Sequence, residues 1–433
     1  MKDFASFTPF EISGEIFLAG LDLFGPNYWE NDRTSAALLE YLLTLTSVSS
    51  LWRKIALNTP CLWAHIVLGR QKPKYDRPWG TIWHIQRVSA QLNRSCQTSL
   101  DVTVHALASR AHEPSKGPVW VWSSFVEKHL PRCRTIRFLD VDQCAASLFP
   151  LRGPLQRCQL LHVGFFMQDC SENAELKPVE APQTRQFVCR NFQPLMFVSF
   201  PLEHLTFLKL DQDIWRAWMY PPLLLALSRC LSLAELELIG AALPATGTSS
   251  KPATLPLLQS LRVDGPELLS LVHAPRIVRL ECSYEAIMKL GAVSYPLLAH
   301  LVLHGRWYSW DRVPLWSQSY PVLQVFEIRG WIPGEPADVF DHLTLASNQG
   351  DRFPALKILR FWPDIRYLPD FSPPLLPFSP EDAKKPAMIM LQRANLFVEY
   401  YTGTLCRSDI QDATNQLPLQ RIREYYSIVP PDL

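Results

Sequence analysis

Pro256-Leu257-Leu258-Gln259-Ser260-Leu261-Arg262-Val263 and Pro296-Leu297-Leu298-Ala299-His300-Leu301-Val302-Leu303 are two copies of one short pattern. A proline opens each, and apolar residues follow at spacings of x-x and then x. Strand side chains alternate between faces, so Leu261 and Val263 point to one side and Arg262 to the other. Leu258, the first apolar residue of its copy, joins the same side. Proline donates nothing to a strand ladder, which suits the position ahead of a strand. The pattern recurs at 131–138, 275–282, 321–328 and 354–361, with looser copies ending at Val163, Leu210 and Leu238.

The nine units end at Phe138, Val163, Leu210, Leu238, Val263, Cys282, Leu303, Ile328 and Phe361, and successive ends lie 25, 47, 28, 25, 19, 21, 25 and 33 residues apart. Most of these spacings fall near the ~20–29 residue period of leucine-rich repeats, which supply one strand per coil. One coil cannot bury its apolar face, but stacked coils make a continuous core. The expected fold is therefore α/β, with an irregular leucine-rich-repeat solenoid over 131–362. Proline-punctuated strands of a propeller or sandwich are the alternative, and they fit one strand per period less well. Residues 223–230 and 266–272 read as short return helices on the convex side. The long gap holds 169–194, rich in Glu, Gln and Pro, which reads as a loop excursion. After Phe361 the prolines at 363, 369, 373, 374, 377, 380 and 386 mark a stiff segment. Residues 387–401 then read as a helix with Met388, Leu391, Leu396 and Phe397 apolar. The expectation for 363–433 is a Pro-rich segment and a C-terminal helical cap over the last coil.

The N-terminal region is helical and over-rich in apolar residues. Ile12 and Ile16 share one helical face, while Phe17, Leu21 and Phe24 run down another. Gly25-Pro26-Asn27 breaks this helix, 36–45 reads as a second, and Val48, Trp52 and Ile55 lie at helical spacing in a third that Pro60 ends. Three short helices make a poor core by themselves. Their apolar surplus must meet the rest of the chain, as a cap on the solenoid, or a partner.

Here the residues carry a resemblance. Pro9-Phe10-Glu11-Ile12-Ser13-Gly14-Glu15-Ile16-Phe17 resembles the opening of an F-box, and Val48-Ser49-Ser50-Leu51-Trp52-Arg53-Lys54-Ile55-Ala56 with Leu62-Trp63 is similar to its second half. Ser99-Leu100-Asp101-Val102-Thr103 is similar to a segment that follows the motif in the large F-box families of fungi. The resemblance implies an F-box-like helical segment at 1–66, then connecting helices and the first strand or strands of the solenoid at 67–130. It implies a substrate-recognition subunit of a Skp–cullin–F-box ubiquitin ligase. Its partners would be a Skp-type adaptor, a cullin through that adaptor, and a protein substrate on the solenoid. The adaptor-facing residues implied are Pro9, Ile12, Ile16, Phe17, Leu45, Val48 and Trp52. Thr8 stands where the family has Leu, and the loop 22–35 is longer than the family's turn. The alternative is a stand-alone repeat scaffold whose F-box-like cap does not engage the adaptor.

Composition and motifs bear on which other classes the chain does not suggest. Lys plus Arg total 42 against 41 Asp plus Glu, a formal charge of +1, which gives no global pull toward nucleic acid or anionic membrane. The ten cysteines include no Cys-x-x-Cys, so neither a zinc ribbon nor a redox pair is expected. The N-terminus lacks the plan of a signal peptide, and no run of about 18 apolar residues suggests a membrane span. A cytoplasmic or nuclear location is expected, and the sequon at Asn93-Arg94-Ser95 reads as unused. No phosphate-cradling glycine loop or nucleophile elbow occurs. His300 and His304 flank a strand with no acidic residue between them, and the Asp211/Asp213 and Glu235/Glu237 pairs read as solvated strand positions. No catalytic residue, metal or cofactor is expected.

The outward residues of the repeat form a row: His162, Lys209, Glu237, Arg262, Glu281, Val302, Glu327 and Arg360. Arg262, Arg306, Trp307, Trp310, Arg329, Trp331 and Arg360 combine guanidinium groups with large aromatics, the residue types that dominate binding hot spots. They are the expected substrate-binding surface. The competing reading packs the aromatics between coils.

Overall fold

The computed structural model describes residues 9–22, 32–68, 80–105, 128–142, 155–166, 181–191, 200–242, 251–289, 295–305, 319–330, 353, 355–363 and 397–400. The chain divides into two compact units, Met1–Asp211 and Gln212–Leu433. Each combines helices with parallel strands, an α/β architecture.

The first unit begins with α1 (Phe10–Asp22), α2 (Asp32–Val48) and α3 (Ser50–Leu57). Ser49 separates α2 from α3: its extended backbone stops one helix and its hydroxyl accepts from the Trp52 N–H at 3.1 Å, capping the next. Such a cap is worth about 1 kcal/mol. Pro60 opens a single tight turn, Pro60–Trp63, that drops Leu62 and Trp63 into the helical core beside Phe17, Leu42, Leu45 and Ile55. The Trp63 indole donates to the Ala56 carbonyl at 2.8 Å, and the Arg94 guanidinium lies over its ring at 4.4 Å. Thus the Leu-Trp pair is a packing element.

Then follow β1 (His65–Leu68), α4 (Gly80–Arg94), β2 (Leu100–His105), β3 (Cys133–Asp142), β4 (Leu160–Phe166), β5 (Gln186–Arg190) and β6 (Phe207–Trp215). Each strand pairs in parallel with the next in sequence. Ile136, Leu161, Phe187 and Leu208 stand in one register row and Phe138, Val163, Cys189 and Leu210 in the next, all buried.

The second unit contains α5 (Tyr220–Arg229), β7 (Glu235–Ala242), β8 (Ala253–Thr254), β9 (Ser260–Val263), α6 (Pro266–Ser270), β10 (Val272–His273), β11 (Arg279–Ser283), α7 (Tyr284–Lys289), β12 (His300–His304), β13 (Val325–Gly330), β14 (Ile358–Pro363) and β15 (Phe397–Tyr400). β7, β9, β11, β12, β13, β14 and β15 form a parallel ladder in that order, and β8 pairs with β10. Leu261, Leu280, Leu301, Phe326 and Leu359 align across it, buried, as the alternation requires. At the end of β7, Gly240 has φ +120° and its N–H donates to Asp264 at 2.8 Å. A Cβ there would overlap the Gln212 carbonyl, so only glycine fits.

The repeated proline has a definite place. It is the second residue of a β-turn lying ahead of the strand, where its fixed φ is already the one a turn needs. Leu258 N–H donates to Leu255 C=O at 3.3 Å, Leu298 to Tyr295 at 3.0 Å and Leu323 to Tyr320 at 3.2 Å. The residue after each turn ties to its counterpart one strand back in the ladder: Val278 to Gln259 at 2.8 Å, Ala299 to Val278 at 2.9 Å, Gln324 to Ala299 at 2.8 Å. The turns therefore carry a hydrogen-bond ladder of their own.

Three expectations are corrected. The stretch 169–194 is not a loop throughout, because Gln186–Arg190 is a strand with Phe187 and Cys189 inward. It divides the long gap into steps of 26 residues, Val163 to Cys189, and 21 residues, Cys189 to Leu210. The expected helix at 387–401 does not hold over Phe397–Tyr400, where Phe397, Val398 and Tyr400 are strand-favouring types and the segment adds to the open edge of β14. The rest of that segment lies outside the described residues. Finally, Val302 does not face solvent: it is fully buried beneath side chains that cross β12.

Candidate binding surfaces

Helix α1 sorts its residues by face. Ser13, Gly14, Phe17 and Leu21 are buried, and a Cβ on Gly14 would sit 3.2 Å from the Thr59 hydroxyl, so this face lies close against the end of α3. The opposite side shows Ile12, 51% exposed, and Ile16, 44% exposed. Val48 at the end of α2 is 54% exposed, and Pro9 is exposed too. Phe17 and Leu45 instead lie in the helical core, and Trp52 is partly buried with its ring 4.9 Å from that of Phe17. The Tyr41 hydroxyl donates to the Phe17 carbonyl at 2.8 Å, fastening α1 to α2. Of the seven residues that the resemblance implied, four present surface and three build the core that presents it. Phe10, Leu43 and Leu57 are also exposed. Leu43 was legible from α2, since it falls outside the face that buries Leu42 and Leu45.

The second surface is the outward face of the second unit's ladder. Register rows place Arg262, Glu281, Val302, Glu327 and Arg360 side by side on β9, β11, β12, β13 and β14. Glu281 and Glu327 are almost wholly buried. The Glu281 carboxylate meets Arg262 Nε at 3.2 Å, Arg279 Nη2 at 3.4 Å and Arg329 Nη1 at 3.2 Å. Glu327 meets Arg329 Nε at 2.6 Å, His300 Nε2 at 3.6 Å and Arg360 Nη1 at 3.8 Å. Arg329 thus spans from β13 across β12 to β11 and roofs Val302.

Burial alone would raise both carboxyl pKa values, but the cations outweigh it. The His300 and Arg329 contacts hold Glu327 down to about 2, and Arg329, Arg262, His304 and Arg279 hold Glu281 below its ordinary range. His304, 3.5 Å from Asp264, is held below the usual imidazole value by burial, with Arg262 and Arg329 adding to the effect and the two carboxylates opposing it. Arg262, Arg329 and Arg360 are therefore brought together by the chain's own carboxylates. Two carboxylates share four guanidinium groups there, so the charge an acidic ligand would need is partly offset. Arg306, Trp307, Trp310 and Trp331 lie outside the described residues. Sequence reasoning did not single out Arg279 or Asp264, although the repeat period puts Arg279 two positions before Glu281 on the same face.

The first unit carries a smaller counterpart. Asp101 is buried and takes both Arg134 Nε at 3.2 Å and Nη2 at 2.7 Å, with His65 Nδ1 at 3.7 Å. Burial opposes its ionisation, and Arg134 with His65 overcomes that and lowers its pKa. Along the same face His162 stands in register with Arg137; burial, Arg137, Lys209 and Arg190 together hold it down at about 3. Burial also pushes the Cys133 and Cys158 thiols up to about 12, so both behave as core hydrophobes and not as nucleophiles. Among the described residues, no cluster of His, Cys, Asp and Glu is arranged to hold a metal, and no helix is long and apolar enough to cross a membrane.

No protein-family model matches the chain, and no curated protein matches it.

Proposed function

We propose that this chain is the substrate-recognition subunit of a Skp–cullin–F-box ubiquitin ligase. The N-terminal helices dock on a Skp-type adaptor, and a leucine-rich-repeat solenoid formed by the strand ladders holds a protein substrate. The observation that carries the reading is the two-sided helix α1. One side packs on the chain's own core, while Ile12 and Ile16 on the other stay about half exposed. Exposed apolar side chains of this size, on helices that resemble an F-box over Pro9–Phe17 and Val48–Ala56, are what an adaptor would bury. The ladder adds a periodic surface suited to a protein ligand, since stacked coils present a broad face that no single coil has. The chain contributes no chemistry to ubiquitin transfer in this reading; it positions the substrate, and the cullin-bound partners transfer.

The test is co-expression with the Skp adaptor. The full chain should co-purify with it, and Ile12→Asp/Ile16→Asp should abolish co-purification, because an unpaired charge in a desolvated contact costs several kcal/mol. The double variant should fold as the parent does, since both positions are exposed. A chain that stays soluble and ignores the adaptor would favour the stand-alone scaffold.

A further inference from the structure

The β-turn ahead of each strand occurs in both units with the same hydrogen bond but with different outward residues. In the first unit Cys158 donates to Leu155, Thr184 to Ala181 and Leu205 to Leu202. The two residues between them are Gln156-Arg157, Pro182-Gln183 and Glu203-His204, all exposed and mostly polar. In the second unit the corresponding bonds run from Leu233 to Cys230, Leu258 to Leu255, Ile277 to Ala274, Leu298 to Tyr295 and Leu323 to Tyr320. Here the two central residues are Leu231-Ser232, Pro256-Leu257, Pro275-Arg276, Pro296-Leu297 and Pro321-Val322. Leu231 is 58% exposed, Leu297 50% and Leu257 45%. Since the first unit builds this turn with Arg157, Gln183 and His204 in the place of Leu257, Leu297 and Val322, the turn itself does not demand the apolar residues.

These turns follow one another along the ladder: Leu257, Leu297 and Val322 hold the same place in their turns, with Arg276 between Leu257 and Leu297, and Leu231 stands one place earlier in its own, so an apolar stripe with one guanidinium in it runs along the turns. Neighbouring strands are spaced about 4.8 Å apart. An α-helix rises about 5.4 Å per turn. A helix laid along the stripe therefore offers one apolar residue to each coil, and the mismatch over five coils is only about half a turn. Proline in four of the five turns fixes the backbone beforehand, which lowers the ordering cost of binding. None of the central turn residues is acidic, and Arg276, exposed, lies within the stripe.

We propose that the turn edge of the second unit is a docking site for an amphipathic helix of a partner protein, with an apolar stripe flanked by carboxylates. The charge complementarity selects acidic flanks, and the coil spacing selects a helix. This inference is independent of the adaptor reading.

The experiment uses the full chain and a helix-favouring peptide with leucines at helical spacing and glutamates beside them, with binding read by fluorescence anisotropy. The wild-type chain should bind it, and Leu257→Asp/Leu297→Asp should weaken binding by about tenfold or more, as loss of anchor residues does. The milder Leu257→Ser/Leu297→Ser pair should show the same direction, with circular dichroism unchanged in both. A peptide with lysines for glutamates should bind about tenfold more weakly. Absence of peptide binding, equal binding of the two peptides, or variants that bind like wild type would each overturn the proposal. So would an Asp-sensitive attachment to phosphatidylserine vesicles without peptide binding, which would assign the stripe to a membrane. Asp-sensitive dimerisation in sedimentation equilibrium, again without peptide binding, would assign it to a second copy.

Discussion

Replacing Arg329 by Met isolates the charge that joins three strands. The methionine keeps an apolar stem over Val302 while removing the contacts to Glu281 at 3.2 Å and Glu327 at 2.6 Å. Glu327 falls from an ordinary 4.5 to about 2 in the folded protein, and each pKa unit is worth about 1.4 kcal/mol, so its cations together stabilise the fold by about 3 kcal/mol. His300 and Arg360 remain in the variant, so Arg329 accounts for part of that sum, and the loss of its contact with Glu281 adds to it. The expected loss at pH 7 is about 2–4 kcal/mol, the usual range for removing one partner of a buried pair. The pH dependence carries the sign. A depressed carboxyl pKa stabilises fully above the unfolded value of 4.5, and that stability disappears as pH falls through the folded value near 2. Urea unfolding by far-ultraviolet circular dichroism should therefore show a large difference between parent and variant at pH 7, shrinking by more than half near the lower limit. An equal difference at both pH values would refute the electrostatic account and leave only packing.

Other outcomes follow from the same geometry. Val302→Ala should cost about 1–3 kcal/mol, as a core truncation does, and Leu261→Ala and Leu301→Ala about 2–5 kcal/mol each, all read as shifts in the urea midpoint. Phe187→Ala should cost about 3–5 kcal/mol and Thr184→Val about 1 kcal/mol, the latter through loss of the hydroxyl bond to Cys158 C=O at 3.1 Å; a neutral Phe187→Ala would show that β5 is not part of the core. Ser49→Ala should destabilise the N-terminal helices by about 1 kcal/mol in thermal melts, with the ladders unaffected.

The strand register was legible because inward positions alternate and because a wrong register by one residue exposes a whole row. Leu261, Leu301 and Ile328 face the core as read, and their strands belong to one parallel ladder. The strand at Gln186–Arg190 escaped because its copy of the motif, Ala181-Pro182-Gln183-Thr184-Arg185-Gln186-Phe187, carries the polar Thr184 where other copies carry Leu, Ile or Cys. Thr184 is buried all the same, since its hydroxyl finds the Cys158 carbonyl, in the turn ahead of the neighbouring strand. Phe397–Tyr400 read as helix because Met388 and Leu391, three apart, join the apolar Leu396 and Phe397 in one segment, whereas the free edge of β14 is a tertiary fact that no local pattern records. Val302 was placed outside correctly as to strand face but wrongly as to solvent. Its cover is Arg329, one strand away and too far along the chain for a strand pattern to reveal. For the helices, the pattern assigned Ile12 and Ile16 to one face of α1 and Phe17 and Leu21 to another, and their burial follows that division.

The claim that the exposed side of the N-terminal helices is an adaptor interface is tested most directly by hydrogen–deuterium exchange on the full chain, alone and mixed with the Skp adaptor. The account expects added protection in Phe10–Asp22 and around Val48, with the strand ladders of both units unchanged. No protection anywhere, or protection confined to the ladders, would contradict it.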